Sequence, residues 1–368
     1  MSAPLVLIAA GGTGGHMFPA QALAQEMLRR GWRVALSTDA RGLRYAGGFP
    51  EAVARVAFAA DSPSRGGALT RAAAPARLLA GAFAARRWLA RARPACVAGF
   101  GGYPAFPALA AAWSLGLPRL IHEQNGVLGR VNRLFAARVG AVACGTWPVA
   151  RAPASARLIH IGNPVRDAVA ALAGGGYAPP GAGGPVNLLV FGGSQGASVF
   201  ATLVPQALAA LPPALRGRLR LVQQAREGEA AAVRAALAQA GIAAEVAPFF
   251  DDMPPRIAEA HLVICRSGAS TVAELAVIGR PAILVPFPAA MDDHQTANAA
   301  ALAEAGAALL CAEAGLTPEG LAGQVTRLVE APERLAEMAR TAAALGRPHA
   351  AGALADLVER LAKGRRPS

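Results

Sequence analysis

The chain has 368 residues, a length that suits two domains, and 54% of them are hydrophobic, which argues against extended disorder. Its formal net charge of +13 comes almost entirely from arginine, since Lys363 is the only lysine. Such a charge favours phosphate groups on substrates or anionic lipid as partners, although a general compositional bias towards arginine explains it as well. No dense basic stripe interleaved with aromatic residues occurs, so we expect no nucleic-acid partner.

The cysteines and the first residues indicate the cellular compartment. No Cys-x-x-Cys pair and no His/Cys cluster with zinc-ligand spacing occurs in the sequence. Isolated cysteines in apolar stretches predict buried thiols in a reducing compartment. They are Cys96, Cys144, Cys265 and Cys311. The first residues pass directly into an apolar segment without a basic region, so we expect no signal peptide.

The first half of the chain repeats a unit of short apolar strand, glycine-rich loop and helix. A strand at residues 5–10 leads into Gly11-Gly12-Thr13-Gly14-Gly15, and a helix is predicted from about residue 19 to residue 30. Further strands are predicted at 33–38, 95–99 and 119–122. Short strands that alternate with helices predict a parallel sheet covered on both faces.

The longest uncharged stretch, residues 96–118, is long enough to span a bilayer. However, Gly101-Gly102, Pro104 and Pro107 would break a helix there. We therefore predict a strand, a glycine loop and a helix in this stretch.

The second half of the chain restarts the pattern after residues 172–185, whose glycines and prolines predict a linker. A strand at 187–191 leads into Gly192-Gly193-Ser194-Gln195-Gly196. Further strands are predicted at 219–223, 244–247, 262–265, 282–285 and 308–311. The last helix is predicted at about 350–363. The two similar halves predict an α/β chain of two Rossmann-like domains, residues 1–163 and 164–346, with parallel sheets facing across a cleft. The terminal segment, 347–368, can pack back on the first domain.

Three glycine-rich loops follow predicted strands, at residues 11–15, 99–103 and 192–196. Ligands bind at this edge of an open parallel sheet, where backbone N–H groups and helix N-termini approach phosphate. The first loop has Met17 where the dinucleotide fingerprint needs its third glycine, and it lacks the Gly-Lys-Ser/Thr end of a P-loop. The loops therefore predict a phosphate-bearing ligand other than NAD or ATP, with purely structural tight turns as the alternative.

Longer motifs occur in a fixed order over roughly the first 300 residues. They are Gly11-Gly12-Thr13-Gly14-Gly15-His16, Gly99-Phe100-Gly101-Gly102-Tyr103, His122-Glu123-Gln124-Asn125-Gly126, Gly162-Asn163-Pro164-Val165-Arg166, Gly192-Gly193-Ser194-Gln195-Gly196-Ala197, and the run from Cys265 to Leu275 followed by Pro286-Phe287-Pro288 and Asp293-His294-Gln295. As an ordered set they resemble the MurG family of bacterial N-acetylglucosaminyltransferases.

The resemblance implies the glycosyltransferase-B arrangement of two Rossmann-like domains. It implies inverting transfer of N-acetylglucosamine from UDP-N-acetylglucosamine to the 4-hydroxyl of the N-acetylmuramoyl unit of lipid I, a polyprenyl-diphosphate-linked acceptor, which gives lipid II for peptidoglycan. The donor would bind mainly in the C-terminal half and the acceptor in the N-terminal half. The enzyme would lie peripherally on the cytoplasmic face of the inner membrane.

The resemblance also implies the residues that contact the donor. They are Thr13, Gly14, Gly15, Asn125, Arg166, Ser194, Phe250, Ala269, Ser270, Thr271, Val272, Ala273, Glu274 and Gln295. Arg166 offers a forked, permanently charged donor set to a diphosphate, with a surface salt bridge as the alternative. Phe250 would contact uracil through its backbone, or one of the adjacent phenylalanines belongs to the core. Gln295 and Asn298, three residues apart on a predicted helix, would present amides to sugar hydroxyls or form ordinary polar surface.

Glu274 has two possible roles. Thr271-Val272-Ala273-Glu274 fits a capping box, in which the glutamate bonds back to the first residue of a helix and needs no ligand. A carboxylate is also suited to accept hydrogen bonds from the two ribose hydroxyls. The residue pattern alone favours the capping box, whereas the family resemblance favours the ribose contact.

The reaction requires a base for the acceptor hydroxyl and stabilisation of the departing UDP. His16 is the favoured base, because it ends the first glycine loop at a helix start, where a neutral imidazole can accept a proton. Glu123 is the rival base, and a purely loop-orienting His16 is the alternative; His122 and His294 are expected to be structural. Asp-x-Asp is absent, so we expect no metal and no cofactor, with the helix after Gly268, Ser194 and Arg166 stabilising the leaving group.

A basic amphipathic helix is predicted near residues 77–93. Its apolar residues are Leu78, Leu79, Ala82, Phe83, Trp88 and Leu89, and its arginines are Arg77, Arg86, Arg87, Arg91 and Arg93. Such a helix lies in a bilayer interface or packs on a core with a solvated arginine face. An acceptor carried by a lipid favours contact with an anionic membrane surface.

Three other functions are compatible with parts of this pattern. A UDP-N-acetylglucosamine 2-epimerase would share the two-domain arrangement but need no lipid acceptor. A nicotinamide dehydrogenase would need the dinucleotide fingerprint that the first loop lacks. A sugar-nucleotide-binding membrane scaffold would bind UDP without turnover.

Overall fold

The computed structural model describes residues 3–11, 14–39, 42–60, 68–193 and 196–365. These residues form two compact units. The first unit contains the described residues up to Asp167 together with those from Arg347 onwards, and the second unit is Ala168–Gly346. A short helix, Asp167–Ala170, starts at this boundary.

The first unit is built on a seven-stranded, all-parallel sheet. Its strands are β1 (Leu5–Ala9), β2 (Arg33–Thr38), β3 (Ala54–Ala57), β4 (Cys96–Gly99), β5 (Arg119–Glu123), β6 (Val142–Cys144) and β7 (Leu158–His160). Its helices are α1 (Gly14–Arg29), α2 (Ala68–Ala92), α3 (Phe106–Ser114) and α4 (Arg130–Phe135), with 3-10 turns at Gly42–Gly48, Tyr103–Ala105 and Ala136–Arg138. The spatial order of the strands is β3-β2-β1-β4-β5-β6-β7.

Helices cover both faces of this sheet, which explains why β1 is buried along its whole length. Met17, Leu23 and Met27 of α1 form one core with the C-terminal helix α14 (Ala350–Ala362), which supplies Leu354 and Val358. The other face packs on residues of α2, α3 and α4. The end of α1 is also tied to α14 by charge, because Arg30 Nη1 lies 2.7 Å from Asp356 Oδ1.

The second unit is built on a six-stranded parallel sheet with the order β10-β9-β8-β11-β12-β13. Its strands are β8 (Val186–Phe191), β9 (Leu219–Gln224), β10 (Ala243–Ala247), β11 (Leu262–Cys265), β12 (Ala282–Leu284) and β13 (Ala308–Leu310). The helices between α4 and α14 are α5 (Asp167–Ala170), α6 (Ser198–Ala209), α7 (Pro213–Arg216), α8 (Glu227–Gln239), α9 (Met253–Glu259), α10 (Ala269–Ile278), α11 (His294–Glu304), α12 (Pro318–Val329) and α13 (Pro332–Leu345). Short 3-10 turns occupy Met291–Asp293 and Glu313–Gly315. Phe200, Val233, Leu237 and Val325 belong to the core on one face.

The predicted fold class is confirmed, because each unit is a Rossmann-like domain with a parallel sheet. All the strands predicted from the sequence form, with ends that differ by one residue at most, and residues 171–185 contain no helix or strand. Three strands of the first unit, β3, β6 and β7, were not predicted. β3 and β7 are the edge strands of the sheet and contain no fully buried residue, so they lack the apolar run that marks a central strand, and β6 has only three residues.

Two further predictions concern helices. The first helix begins at Gly14, five residues earlier than predicted, so the last glycines of the first loop form its first turn and Pro19 lies inside it. Residues 96–118 form a strand, a glycine turn and a helix, as predicted. Among the helices that the structure describes, none is long and apolar enough to cross a membrane.

Candidate functional site

The first unit brings two glycine loops together where its strand order reverses. These loops follow β1 and β4, the neighbouring strands at the switch point where ligands bind in open parallel sheets. A side chain at Gly11 would place its Cβ 2.7 Å from Pro104 Cβ, and one at Gly102 would place it 3.4 Å from the Gly11 oxygen. Gly11 therefore has no room for a side chain, because Pro104 and Thr38 Oγ1 already occupy that space, whereas Gly102 is restricted by its positive φ of +70°.

His16 lies in the first turn of α1 and is half-buried. Its imidazole lies against the second glycine loop: a Cβ on Gly101 would be 3.3 Å from His16 Nε2, and one on Gly102 would be 3.6 Å from Cε1. Both glycines have positive φ, +83° and +70°, a conformation that side chains disfavour. The two glycine loops therefore determine together where this imidazole lies.

His122, at the end of β5, is fully buried with its ring tilted against Phe100 at 5.3 Å between ring centres. Burial lowers the pKa of His122 to about 3, and a charge on His16 acts in the same direction. His122 therefore stays neutral near pH 7, which suits a structural residue rather than one that is charged during the reaction.

Glu123 is almost fully buried, and both of its carboxylate oxygens accept hydrogen bonds. Oε1 accepts from the backbone N–H and the Nδ2 of Asn125, both at 3.1 Å. Oε2 accepts from the Gly129 N–H and from Asn132 Nδ2, both at 2.9 Å. Burial raises the pKa of Glu123, and these hydrogen bonds oppose that rise. The rival base thus accepts from three donors of the following loop and from Asn132 of α4, an arrangement that favours a structural role for it.

Asn132 connects this loop to the glycine loops. Its Nδ2 also donates to the His122 carbonyl at 3.0 Å, and a Cβ on Gly101 would lie 3.1 Å from the same atom. Asn125, Glu123 and His16 are therefore neighbours of one polar cluster at the carboxyl edge of the first sheet.

Arg166 belongs to the first unit, in the segment after β7. Its guanidinium carbon lies 4.8 Å from the centre of the Phe18 ring, and that ring packs on Gly14, whose Cβ position would be 3.1 Å away. The ring holds the positive guanidinium beside the amino end of α1, where unpaired N–H groups carry partial positive charge. The guanidinium and the N–H groups of α1 are both positive and lie side by side, so together they can bind an anion.

The second unit presents a helix N-terminus at its own switch point, between β8 and β11. Helix α10 follows β11, its N-cap is Gly268, and Ala269 is its first residue. The capping-box alternative for Glu274 is wrong, because the N-cap is Gly268, three residues before Thr271, and Glu274 is the sixth residue of the helix. Glu274 is 7% exposed, and the buried Ser270 Oγ has no hydrogen-bond partner among the described residues.

Gln295 and Asn298 of α11 are tied to the loop after β11. The Ser267 hydroxyl donates to the Gln295 carbonyl at 2.8 Å, and Asn298 Nδ2 donates to the Ser267 carbonyl at 3.1 Å. Asn298 is completely buried, so the prediction that it faces sugar hydroxyls or forms polar surface is wrong. Gln295 stays half-buried, and its Oε1 accepts from the Phe287 N–H at 2.9 Å.

Phe250 is buried, 7% exposed, whereas the preceding Phe249 is 65% exposed. Arg256 stacks on the Phe250 ring at 4.4 Å and forms ion pairs with Glu245 and Asp252, both at 2.7 Å. Asp252 is therefore engaged by an arginine. In the part of the chain that the structure describes, no group of three or more His, Cys, Asp or Glu side chains is arranged to hold a metal ion.

Two of the predicted donor contacts, Thr13 and Ser194, lie outside the described residues. Within the first unit, His16, Glu123 and Asn125 come together, and Arg166 joins the start of α1. Within the second unit, Ala269–Glu274 and Gln295 lie around the loop after β11. The sequence analysis missed Phe18 and Asn132. Phe18 could have been found only by the weak signal of an aromatic residue one turn after a glycine loop. Nothing in the sequence around Asn132 indicates its role.

Comparison with known proteins identifies the two units. Residues 6–144 match the glycosyltransferase family 28 N-terminal domain, and residues 187–354 match the glycosyltransferase family 28 C-terminal domain. A Sinorhizobium fredii protein named UDP-N-acetylglucosamine--N-acetylmuramyl-(pentapeptide) pyrophosphoryl-undecaprenol N-acetylglucosamine transferase is 51% identical over 364 residues, which cover 99% of this chain and 97% of that protein. A Brucella abortus protein of the same name is 48% identical, over 98% of this chain and 95% of its own length.

Solved structures agree with this assignment. The crystal structure of Acinetobacter baumannii MurG has a TM-score of 0.78 and 34% sequence identity, and the match covers 97% of this chain and 99% of that one. A putative UDP-N-acetylglucosamine 2-epimerase from Listeria monocytogenes has a TM-score of 0.67 at 16% identity over 100% of this chain and 99% of that chain, a likeness of fold alone. The resemblance inferred from the sequence motifs is confirmed, and the chain belongs to glycosyltransferase family 28.

Proposed function

We propose that this chain transfers N-acetylglucosamine from UDP-N-acetylglucosamine to lipid I and so forms lipid II. The observation that carries the proposal is the 51% identity, over nearly the whole chain, to a relative named for this reaction. The Listeria protein named as an epimerase shares the fold only, so it does not support epimerisation as the activity. The transfer requires a donor site, an acceptor site and a base.

The donor site uses the start of α10 and its neighbours. We assign the diphosphate to the N–H groups of the first turn, Ala269 to Thr271. Family resemblance alone adds Ser194 and Arg166 as further donors. Glu274, which does not cap the helix, is suited to accept hydrogen bonds from the ribose hydroxyls. The remaining contacts are assigned by family resemblance to Thr13, Gly14, Gly15, Asn125, Phe250, Val272, Ala273 and Gln295.

The chemistry is a single displacement at the anomeric carbon. The 4-hydroxyl of the acceptor attacks C1 of N-acetylglucosamine, the bond from C1 to the UDP oxygen breaks, and the configuration inverts from α to β. His16 takes the hydroxyl proton, and the charge that develops on UDP is stabilised by N–H dipoles and Arg166. The first unit would bind the acceptor, because its glycine loops hold His16.

A transfer assay tests this proposal directly. Purified full-length chain is mixed with labelled UDP-N-acetylglucosamine and a synthetic lipid I analogue, and the labelled disaccharide lipid is measured. Transfer that depends on the acceptor supports the proposal. Conversion of UDP-N-acetylglucosamine without acceptor would instead indicate epimerisation, and UDP binding without turnover would indicate a scaffold.

We also propose that α2 and α3 attach the enzyme to an anionic membrane surface, on the cytoplasmic face of the inner membrane. Leu78 and Leu89 are buried in the core, whereas Leu79 and Phe83 are 68% and 65% exposed. Trp113 of α3 is 52% exposed. Exposed apolar side chains beside exposed arginines are typical of an interfacial helix surface. Around them are Arg77, Arg86, Arg87, Arg91, Arg93 and Arg138, the last stacked on Trp113 at 5.4 Å.

Sedimentation with lipid vesicles tests the membrane proposal. Replacing Arg86, Arg87 and Arg91 with glutamine should weaken binding to anionic vesicles at low salt, where charge attraction is largest. A matched control replaces three exposed arginines of the second unit, Arg220, Arg327 and Arg340. Equal binding of both triple variants would contradict the proposal.

A further inference from the structure

Arg266 follows β11 directly and is only 7% exposed. Its Nη1 donates to the carbonyl oxygens of Val285 and Pro286, at 3.1 and 3.0 Å. Its Nη2 lies 2.5 Å from Glu313 Oε2 in an ion pair. Val285 and Pro286 follow β12, and Glu313 follows β13, so one side chain joins three successive connections at the carboxyl edge of the second sheet.

Two aromatic rings enclose the same guanidinium. The Phe200 ring, fully buried in the first turn of α6, is centred 5.3 Å from the guanidinium carbon, and the Phe287 ring is centred 5.4 Å from it. Helix α6 follows the glycine loop after β8, so Arg266 also contacts the first turn of the helix into which this loop leads. Arginine is suited to this position, because its planar fork can stack on rings while it donates in several directions.

These contacts lie next to the residues assigned to the donor. Arg266 precedes Gly268, the N-cap of α10, by two positions. Phe287, on which Arg266 stacks, donates its N–H to the Gln295 side chain. A shift of the Arg266 side chain would therefore displace Ala269–Glu274 and Gln295 together. Its guanidinium is itself buried among carbonyls, Glu313 and the two rings.

We propose that Arg266 is a positioning residue of the donor site, which holds three sheet-edge loops and the start of α6 in register for the sugar nucleotide. The inference rests on the proposed function, in which Ala269–Glu274 and Gln295 bind UDP-N-acetylglucosamine. A purely structural arginine would stabilise the fold without affecting donor affinity. The experiment must therefore separate stability from affinity.

Arg280 provides a matched control in the same unit. It is also 7% exposed, donates through Nε to the Ala258 carbonyl at 2.9 Å and through Nη1 to the Gly176 carbonyl at 2.9 Å, and stacks on Tyr177 at 5.5 Å. Arg280 precedes β12, so it lies at the amino edge of the sheet, away from the donor loops. Its loss should cost stability alone.

The test compares full-length Arg266→Met with full-length Arg280→Met. Unfolding midpoints, the Kd for UDP by calorimetry, and the KM values for donor and acceptor are measured. Both variants should have lower midpoints, whereas only Arg266→Met should raise the donor KM and the UDP Kd, by roughly 10-fold or more, because misplaced contact groups lose alignment. The acceptor KM should stay within about twofold of wild type.

Values of donor KM and UDP Kd within about twofold of those of Arg280→Met would overturn the inference. If Arg266→Met does not fold, Arg266→Lys replaces it, since lysine keeps the charge but cannot bridge the three loops and α6 at once. An unchanged UDP Kd in this variant overturns the inference equally. A wild-type chain that binds UDP but transfers no sugar would refute the proposed function, and the UDP titration would still test Arg266.

Discussion

Replacing Glu123 with glutamine distinguishes a carboxylate that holds a loop from one that removes a proton. Glutamine has the same shape, but one of the two carboxylate oxygens becomes an NH₂ group. If that group occupies the Oε2 position, it faces the Gly129 N–H and Asn132 Nδ2; if it occupies the Oε1 position, it faces both nitrogens of Asn125. In either orientation, two N–H donors that had faced a carboxylate oxygen face the NH₂ group instead and lose their acceptor.

The size of the effect follows from these contacts. A hydrogen bond to a charged group contributes about 1.5–3 kcal/mol, and two are lost. Removing a buried charge recovers part of this cost, so we expect a net loss of about 2–4 kcal/mol in the free energy of unfolding. In a unit of this size, such a loss lowers the unfolding midpoint by roughly 4–16 °C.

Thermal unfolding and steady-state kinetics, measured on the same Glu123→Gln preparation, provide the test. A second variant, Glu123→Gln with Asn132→Asp, exchanges donor and acceptor in the contact between these two side chains. Its free energy of unfolding should be about 1 kcal/mol or more higher than the sum of the two single losses predicts. A Glu123→Gln chain with an unchanged midpoint and a kcat lowered by more than about 100-fold would refute this reasoning and restore Glu123 as the base.

Three further predictions concern single residues. His16→Ala should lower kcat by about 100-fold or more and remove the acidic limb of the pH–rate profile, with UDP affinity near normal; more than about a tenth of wild-type kcat would exclude a base role. Glu274→Ala should raise the donor KM by about 10-fold through loss of the ribose contact, and unchanged UDP binding in calorimetry would contradict that role. Unfolded chains protonate His122 below its ordinary pKa of 6.5, whereas the folded site resists protonation down to about pH 3. The free energy of unfolding should therefore fall as pH drops below 6.5. Between pH 7 and pH 5, measured by denaturant titration, it should fall by about 2 kcal/mol less in His122→Gln than in wild type. Equal falls in the two proteins would show that the folded site accepts the proton.

The strands and their glycine loops were predictable from the sequence, because strands buried on both faces are continuous apolar runs that end at glycine. The run from residue 262 to residue 265 is an example, since it ends at the loop that introduces α10. The order of the motifs was sufficient to indicate the family. The exact start of α1 was not predictable, because proline favours the first turn of a helix, whereas Pro19 lies inside this one.

The sequence by itself determined the two-domain α/β class, the position of the glycine loops and the residue types available for a phosphate-bearing ligand. Only the tertiary structure decided what Glu123, Asn298 and Arg266 do. Each is a polar residue whose partners lie on other segments or around a loop, and a buried polar group must find such partners when water is excluded. The local sequence pattern indicates which residues are apolar or flexible. The hydrogen bonds between donors and acceptors that are distant in sequence form only when the chain folds and the sheet edge assembles.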